Sequence, residues 1–557
     1  MPYLAEEHYP IPGTDLLTWM FDDHVAYDED KPTPSRSISC RQARQMVREL
    51  AAGLRGIGLK KGDCVCVMAF NDIYYSMIFL GIIAAGGIFS GVNPSYTVFE
   101  LAHAIRTADI THLIVEPEFV PKALLAAREC SLPASNVFAF DTLKQTIPQH
   151  LGVKSWRALL RNGQMDWERF DDETRSKETI VARLFSSGTT GMPKALDISV
   201  WNLVAQHIVV MEVRPRPYEV RRLISNPLFH VSQVPRVHTS AIKAGIPTHV
   251  MRRFELEAWL SNISRYNITE VNIVPMMVIS LLTSGHLDSG KYSLQSLRNA
   301  WSGSAPLDKS LQFRFKKYLR SDTPFNQAWG MSETTCLAMW FYYPEQDSTG
   351  SVGRLLPNCD AKVVDDDGND VTDVKGHDGQ NARGELCIRG PIIVKGYYKN
   401  EEANRRDWDR DGYFHTGDIA YCDSETKKWY IVDRKKDANK ADCPFLRQEL
   451  IKVRGFQVAP AELEAALLLH PNIVDCAVIG VQAAIDESEL PRAYIVVRPG
   501  TTVTEAEIRE FTKDKLARYK QFDGGIRFID KVPRNANGKI QKAELRELVK
   551  KELGAKL

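Results

Sequence analysis

The sequence is short of several things, and each shortage removes a class of function. It has almost no charge of either sign in excess, with 71 Lys and Arg against 70 Asp and Glu and a formal net charge of +1. A nucleic-acid-binding chain normally carries a basic face, so no nucleic-acid partner is expected. The ten cysteines are scattered and none forms a Cys-x-x-Cys pair, a pattern that fits a reducing compartment and offers no zinc site. Cys64 and Cys66 alternate in a strand-like run and belong on one face. No repeat recurs at about 20–50 residues, which sets solenoids aside. The opening MPYLAEEHYPIP is acidic and broken by prolines and does not read as a signal peptide. The longest apolar stretch, Tyr74 to Val92, has the length of a membrane span. Gly81, Gly86, Gly87 and Gly91 crowd it, however, and Asn93-Pro94 ends it. It reads as a buried helix followed by a core strand, so no transmembrane segment is expected.

What is present is ample apolar material. The chain has 557 residues, 44% of them hydrophobic and 25% charged, the balance of a soluble globular protein. A prior of roughly 100–200 residues per domain suggests three or four units. Helix-like runs at 41–57 and 458–469 alternate with short β-branched runs at 248–251, 271–274 and 361–364, which predicts α/β layers. Polar segments at 171–179 and 365–383 read as solvated loops.

The strongest local signal is LFSSGTTGMPKAL, residues 184–196. A buried-looking strand, Ile180 to Phe185, runs into a loop of Ser186, Ser187, Gly188, Thr189, Thr190 and Gly191 that closes on Lys194. Glycines let backbone N–H groups approach an anion, hydroxyls add donors, and one lysine adds charge. These are the requirements of polyphosphate binding. The loop is not a Walker A motif, because Gly-x4-Gly-Lys-Ser/Thr is absent. GSAPLDKS, residues 303–310, comes near that motif but has Asp308 in place of the second Gly.

Further motifs follow in a fixed order: NPLFH (226–230), SGSAP (302–306), NQAWGMSET (326–334), HTGD (415–418), VDRKK (432–436), IKVRGFQVAPAELE (451–464) and PRNANGKI (533–540). With the 184–196 loop, this series resembles the adenylate-forming superfamily of acyl-CoA synthetases, luciferases and peptide-synthetase adenylation domains. It is most similar to the 4-coumarate–CoA ligase branch, and the resemblance runs from about Asp15 to Gln541. It implies a large N-terminal α/β region with several sheets (1–432), a hinge (433–452) and a small, mobile C-terminal α/β domain (453–557). It also implies an ATP-dependent acid–CoA ligase that first adenylates a carboxylic acid and then passes the acyl group to CoA. The alternatives are an acyl-adenylate-forming enzyme with another acceptor and a catalytically impaired nucleotide-binding homologue.

Attack of a carboxylate on the ATP α-phosphate brings two anions together, so Mg²⁺ and cationic side chains must offset the repulsion. By resemblance Glu333 helps hold Mg²⁺, while Ser332 and the loop from Ser186 to Lys194 contact phosphate. Asp418 accepts from the ribose hydroxyls with Arg434 nearby. Gln327, Ala328 and Trp329 border the adenine, Trp329 offering it a flat face. Lys539 bridges carboxylate and α-phosphate. For the second half-reaction the resemblance assigns Lys436 to the hinge and places Lys452 and Gln457 near AMP. It puts Arg253, Arg454 and Gly455 along the CoA path.

The acid end is less determined. His230, Ser232, Arg236, Ser304 and Ala328 fall at positions that line the acyl pocket in this family. Ala328 should narrow the pocket and Ser232 should widen it. Arg236 either pairs with a second polar group on the substrate or faces solvent. Aryl-propenoic, arylacetic and medium-chain fatty acids are all compatible. Two stretches depart from the family pattern. DKPTPSRSIS, residues 30–39, is short, and DANKADCPFLRQ, residues 437–448, interrupts an otherwise close match as an insertion or a translated intron. The final Ala555-Lys556-Leu557 is a close variant of the Ser-Lys-Leu address. It follows the amphipathic run 543–554 and predicts a peroxisomal location through the import receptor, with the cytoplasm as the alternative.

Overall fold

The computed structural model describes residues 2–23, 27–30, 36–143, 145–186, 192–375, 381–434, 451–453, 456–458, 460–482, 488–533, 540 and 542–554. The chain forms two compact units. One comprises Met1–Pro94, Ile105–Phe185 and Ala195–Val432, and the other Ser95–Ala104, Ser186–Lys194 and Asp433–Leu557.

The first unit is built on three larger sheets. A seven-stranded sheet runs in the order Lys154–Ser155, Val137–Ala139, Ile110–Val115, Cys64–Met68, Ile88–Gly91, Ile180–Ser186 and Lys194–Ser199. Every residue of Cys64–Met68 is buried, as expected of a parallel strand covered on both faces. The apolar stretch that matches a membrane span in length divides into helix Ile73–Ala84 and strand Ile88–Gly91. Asp72 caps this helix by accepting from the Tyr74 N–H, and the helix is apolar all round because it is buried. Gly81 is required there, since a Cβ would lie 2.5 Å from Leu50 Cβ on helix Cys40–Gly56. Among the described residues no helix is long and apolar enough to cross a membrane.

The second sheet is parallel throughout, ordered Phe325–Gln327, Asn299–Ser302, Glu270–Ile273, Arg222–Ile224, Thr248–Val250. The third joins Asp360–Val364, Gly384–Arg389, Phe414–Cys422 and Trp429–Arg434, with antiparallel pairing along its first three strands. The mixed α/β class is thus the one expected. One segment differs from its reading as a loop, for 171–179 contains helix Glu173–Glu178. Asp172 accepts from the Arg175 N–H as N-cap, Glu173 lies in the first turn, and Arg175 and Lys177 lie in the last. A short polar helix set by caps and end charges carries no apolar period to betray it.

In the second unit, hairpin Ile451–Val453/Phe456–Val458 precedes a three-stranded sheet of Ile473–Gln482, Glu489–Val497 and Ile526–Phe528. Helices Pro460–Leu468, Glu505–Lys513 and Lys542–Gly554 accompany the sheet. The insertion at 437–448 and the terminal tripeptide lie outside the described residues.

Candidate active site

In the first unit, strands Asn299–Ser302 and Phe325–Gln327 run parallel and end together, with Ser302 opposite Gln327. Their carboxyl ends deliver Gly303-Ser304 and Ala328-Trp329 side by side, and the Ala328 N–H donates to the Ser302 carbonyl (2.9 Å). The carboxyl edge of a parallel sheet is where α/β folds place ligands. Ser304 adopts a φ of 71°, a left-handed conformation unusual for a residue with a side chain. The Gln327 amide oxygen accepts from the Leu307 N–H (2.8 Å), tying the two strand ends into one loop.

Trp329 Nε1 donates to Asp418 Oδ2 at 2.9 Å. Asp418 is buried in the middle of strand Phe414–Cys422, so the indole fixes a carboxylate that lies far away in sequence. Gly330 follows because nothing larger fits. A Cβ there would fall 1.7 Å from the Cys336 carbonyl oxygen. The chain folds back through the turn Ser332–Thr334, with Thr335 at φ 55° and Cys336 at φ 121°. Thr335 Oγ1 anchors this turn by donating to the Ile392 carbonyl (2.7 Å). The turn buries Glu333, whose Oε1 accepts from Tyr397 Oη (2.9 Å) and whose carbonyl accepts from the Val394 N–H (2.9 Å). Burial, then the Glu333 charge, raises the Tyr397 phenol well above its ordinary range, so this donor keeps its proton.

The segment 226–230 is clamped from both sides. Asn71 accepts from the Leu228 N–H (2.9 Å) and donates to the Asn226 carbonyl (2.9 Å). The Leu228 carbonyl accepts from His238 Nε2 (3.1 Å). His230 Nδ1 accepts from the Ser232 N–H (3.2 Å) and lies 2.9 Å from Ser232 Oγ. Its remaining proton therefore sits on Nε2. The ring reaches solvent but is enclosed by protein, and that enclosure holds its pKa below the ordinary histidine value. Gln233 Nε2 donates to Ser232 Oγ (3.0 Å) and fixes that hydroxyl.

Arg236, four residues past Ser232, is half-buried. Its Nε and Nη2 are shut off and have no partner, and its guanidinium lies 4.4 Å from the Trp301 ring centroid. Arg236 stands in the π-helical turn Val234–Thr239, whose other residues are all buried, and this edge of its guanidinium is closed off while the residue as a whole keeps partial exposure. Ala328 packs in the same apolar cluster as Trp301 and Trp340. Arg253 is exposed; its neighbour Arg252 is the one engaged, with Glu116 and Glu118.

In the second unit Ser186 ends strand Ile180–Ser186 with its hydroxyl buried, and Lys194 opens strand Lys194–Ser199. His103 Nε2 donates to the Pro193 carbonyl (2.9 Å). Lys452 and Gln457 are register partners in the hairpin. Arg434 ends strand Trp429–Arg434. Ser187, Gly188, Thr189, Thr190, Gly191, Lys436, Arg454, Gly455 and Lys539 lie outside the described residues.

Sequence reading missed Tyr397, Asn71 and His238, which hold the site together from a distance. The sole local signal was the aromatic pair in GYYKN, residues 396–400. It also missed a group formed by Glu385, Cys387 and His415, whose ligand-type atoms lie within 4.8 Å of one another. His415 Nδ1 is 3.2 Å from Glu385 Oε2, and that hydrogen bond holds the imidazole pKa above its usual value.

Comparison with known proteins bears on this geometry. The AMP-binding enzyme model matches residues 20–398, and the AMP-binding enzyme C-terminal domain model matches residues 462–539. The chain is 47% identical over 550 residues to the acyl-CoA ligase azaF of Aspergillus niger, covering 97% of this chain and 99% of the relative. It is 46% identical over 555 residues to the phenylacetyl-CoA ligase epaB of Aspergillus niger, covering 98% and 99%. Among solved structures it is similar to the amide bond synthetase McbA of Marinactinospora thermotolerans, with a TM-score of 0.75 at 24% identity over 92% of this chain and 95% of that one. It is also similar to a double mutant of the o-succinylbenzoate CoA synthetase of Bacillus subtilis, with a TM-score of 0.74 at 21% identity over 92% and 94%. Likeness at these identities establishes the fold.

Proposed function

We propose a division of labour for the site residues of this chain, which belongs to the AMP-binding enzyme family and is an ATP-dependent acid–CoA ligase. One observation carries it. A single stretch, 327–335, supplies both the Trp329 indole that orients the buried Asp418 and the buried Glu333 that the Tyr397 phenol holds from outside it.

Asp418 has the character needed to accept from the ribose hydroxyls, since its Oδ2 is already oriented by a donor that cannot reverse its role. Trp329 positions that carboxylate in addition to offering adenine a flat face. Gln327 and Ala328 complete the adenine side, and Ser304 lines the acyl pocket. Glu333, a buried oxygen donor held by a phenol that stays protonated, fits a hard divalent cation, and Mg²⁺ there would supply charge to offset the meeting of two anions. Ser332, Ser186, Lys194 and the loop between the latter two would contact the phosphates.

In the first half-reaction a carboxylate oxygen of the acid attacks the α-phosphorus, and pyrophosphate leaves. Lys539 bridges the attacking carboxylate and the α-phosphate and lowers the repulsion between them. His230, neutral and with its proton on Nε2, presents a donor beside the acyl group. In the second half-reaction the CoA sulfur attacks the acyl carbon and AMP leaves as a stable anion. Lys452, Gln457, Arg434 and Lys436 serve the AMP moiety, and Arg253, Arg454 and Gly455 serve the CoA path. The acid belongs to the aryl-propenoic, arylacetic or medium-chain fatty class, with the phenylacetyl-CoA ligase relative favouring an arylacetic acid. Import into peroxisomes rests on Ala555-Lys556-Leu557. A fluorescent fusion with a free C-terminus, compared with one lacking those three residues, tests it.

ATP–pyrophosphate exchange over a panel of acids, with thioester formation measured in parallel, tests the central assignment. Lys539→Ala should lower exchange by about 10²–10³, the scale for one well-placed transition-state donor. Unaltered exchange would remove Lys539 from its role.

A further inference from the structure

We propose that the acid this enzyme activates carries a second, anionic group at its far end, and that Arg236 receives it through the paired Nε and Nη2 donors. The inference rests on the acid–CoA ligase reading above and narrows its substrate class.

The argument begins with a charge imbalance. Glu270, on strand Glu270–Ile273, is fully buried. Arg216 Nε lies 3.2 Å from one of its oxygens and Arg222 Nε 3.4 Å from the other. Tyr218 adds a neutral donor at 3.2 Å. Arg236 is close enough for its charge to be felt by Glu270, Arg222 and Arg216, yet no hydrogen bond joins it to that carboxylate. One buried carboxylate therefore faces three guanidiniums. Cys336 is a further titratable neighbour of Arg236, and its thiol is pushed up to about 12 by burial and remains neutral. Buried charge is costly unless paired, so an excess of this kind calls for an anion.

Two of the three guanidiniums are committed to the fold. Arg222 also donates to the Arg236 carbonyl (2.9 Å) and to Met211 Sδ (3.1 Å). Arg216 also donates to the carbonyls of Val210 (2.8 Å) and Arg214 (3.3 Å). Arg236 differs in kind. Trp301 covers one face of its guanidinium, and its Nε and Nη2 are closed to solvent without a partner. Nε and Nη2 are the two donors on one edge of the planar group, the fork that meets a carboxylate with two parallel hydrogen bonds. Burial and the Arg222 charge press this arginine down to about 9, which leaves it protonated at neutral pH.

The fork lies on the acid side of the site. Arg236 follows Ser232, the partner of His230, by four residues. Cys336, its neighbour, reaches the Ser232 carbonyl through Sγ (3.7 Å). Trp301 immediately precedes the Ser302–Ser304 segment. The nucleotide carboxylate Asp418 is engaged elsewhere, by Trp329. An acid with its reacting carboxylate beside His230 and a second carboxylate on Arg236 would satisfy both orphaned donors and neutralise part of the excess.

The test uses full-length enzyme, ATP, CoA and matched acids of equal length that end in methyl or in carboxylate, in an aliphatic and an aryl series. A site built to hydrogen-bond a group rejects analogues lacking it by large factors, so wild-type kcat/KM should favour the carboxylate-ended member of at least one pair by about 10²-fold or more. Arg236→Met should bring that ratio to within about 3-fold, and Arg236→Lys, which keeps the charge but loses the fork, should fall between. A wild-type preference for the methyl-ended acid in every pair overturns the proposal, as does a ratio that Arg236→Met leaves unchanged. If Arg236→Met does not fold, the wild-type ratio and the Arg236→Lys ratio decide alone. Absence of pyrophosphate exchange with every acid of both kinds would instead refute the ligase reading itself.

Discussion

Replacing Gly330 by Ala puts the nucleotide-side geometry to its hardest test. A Cβ at 330 would lie 1.7 Å from the Cys336 oxygen, 2.7 Å from the Cys336 carbon and 2.8 Å from Leu337 Cα. All three are backbone atoms, so no rotamer change relieves the clash. To regain a 3.0 Å contact the two stretches of backbone must part by about 1.3 Å, and interiors packed at crystal density do not yield that distance freely. Overpacking of this kind costs roughly 1–3 kcal/mol. The displacement falls between Trp329, which holds Asp418, and Glu333, which Tyr397 holds. A misplacement of about 1 Å near reacting groups can cost on the order of 10²-fold. The expectation is therefore a fall of about 10²-fold or more in ATP–pyrophosphate exchange together with a lower melting temperature. Exchange within about 3-fold of wild type, with an unchanged melting temperature, would refute the claim that the 330–336 fold-back sets the site.

Three further outcomes are expected. Trp329→Phe removes a hydrogen bond to a buried carboxylate, worth about 1.5–3 kcal/mol, so the KM for ATP should rise about 10-fold or more, and an unchanged KM would show that Asp418 is oriented by other means. His238 is fully buried and its pKa is lowered to about 4, so the neutral form stabilises the fold above the unfolded value near 6.5, and this is lost as pH falls through 4, on the order of 3 kcal/mol in all. Melting temperatures from pH 7 to pH 4.5 should fall less steeply for His238→Gln, and equal slopes would dismiss the residue. Deleting Asp437 to Gln448 should raise thioester formation more than pyrophosphate exchange and barely move the melting temperature, because lengthening a flexible connection from about 8 to about 20 residues costs only ~0.8 kcal/mol. Equal or better thioester formation by the full-length chain would make the insertion compatible with catalysis.

How far the sequence could be read depends on where each residue finds its partners. The helix at 40–56 declared itself through its period as a run at 41–57, and the structure adds a capping box of Ser39 and Gln42 at its start. The glycines in 74–92 marked close packing rather than lipid, and Gly81 against Leu50 is that packing. Local caps can also hide an element, as Asp172 does for the helix at 173–178. The motifs announced the nucleotide end of the site because ATP and CoA demand the same hydroxyls, carboxylates and lysines whatever the acid. The supports of those groups were silent. Asn71 holds Leu228 from 157 positions away and Tyr397 holds Glu333 from 64, and nothing near either residue records the pairing. Arg236 is the extreme case. In sequence it is one arginine among 71 basic residues. Its meaning comes from Glu270, already shared by Arg216 and Arg222, and from Trp301 lying across one face. Substrate choice resides in such tertiary arrangements because it must vary while the adenylation chemistry stays fixed. The residue worth testing for the identity of the acid is therefore the one whose partners the fold leaves unfilled.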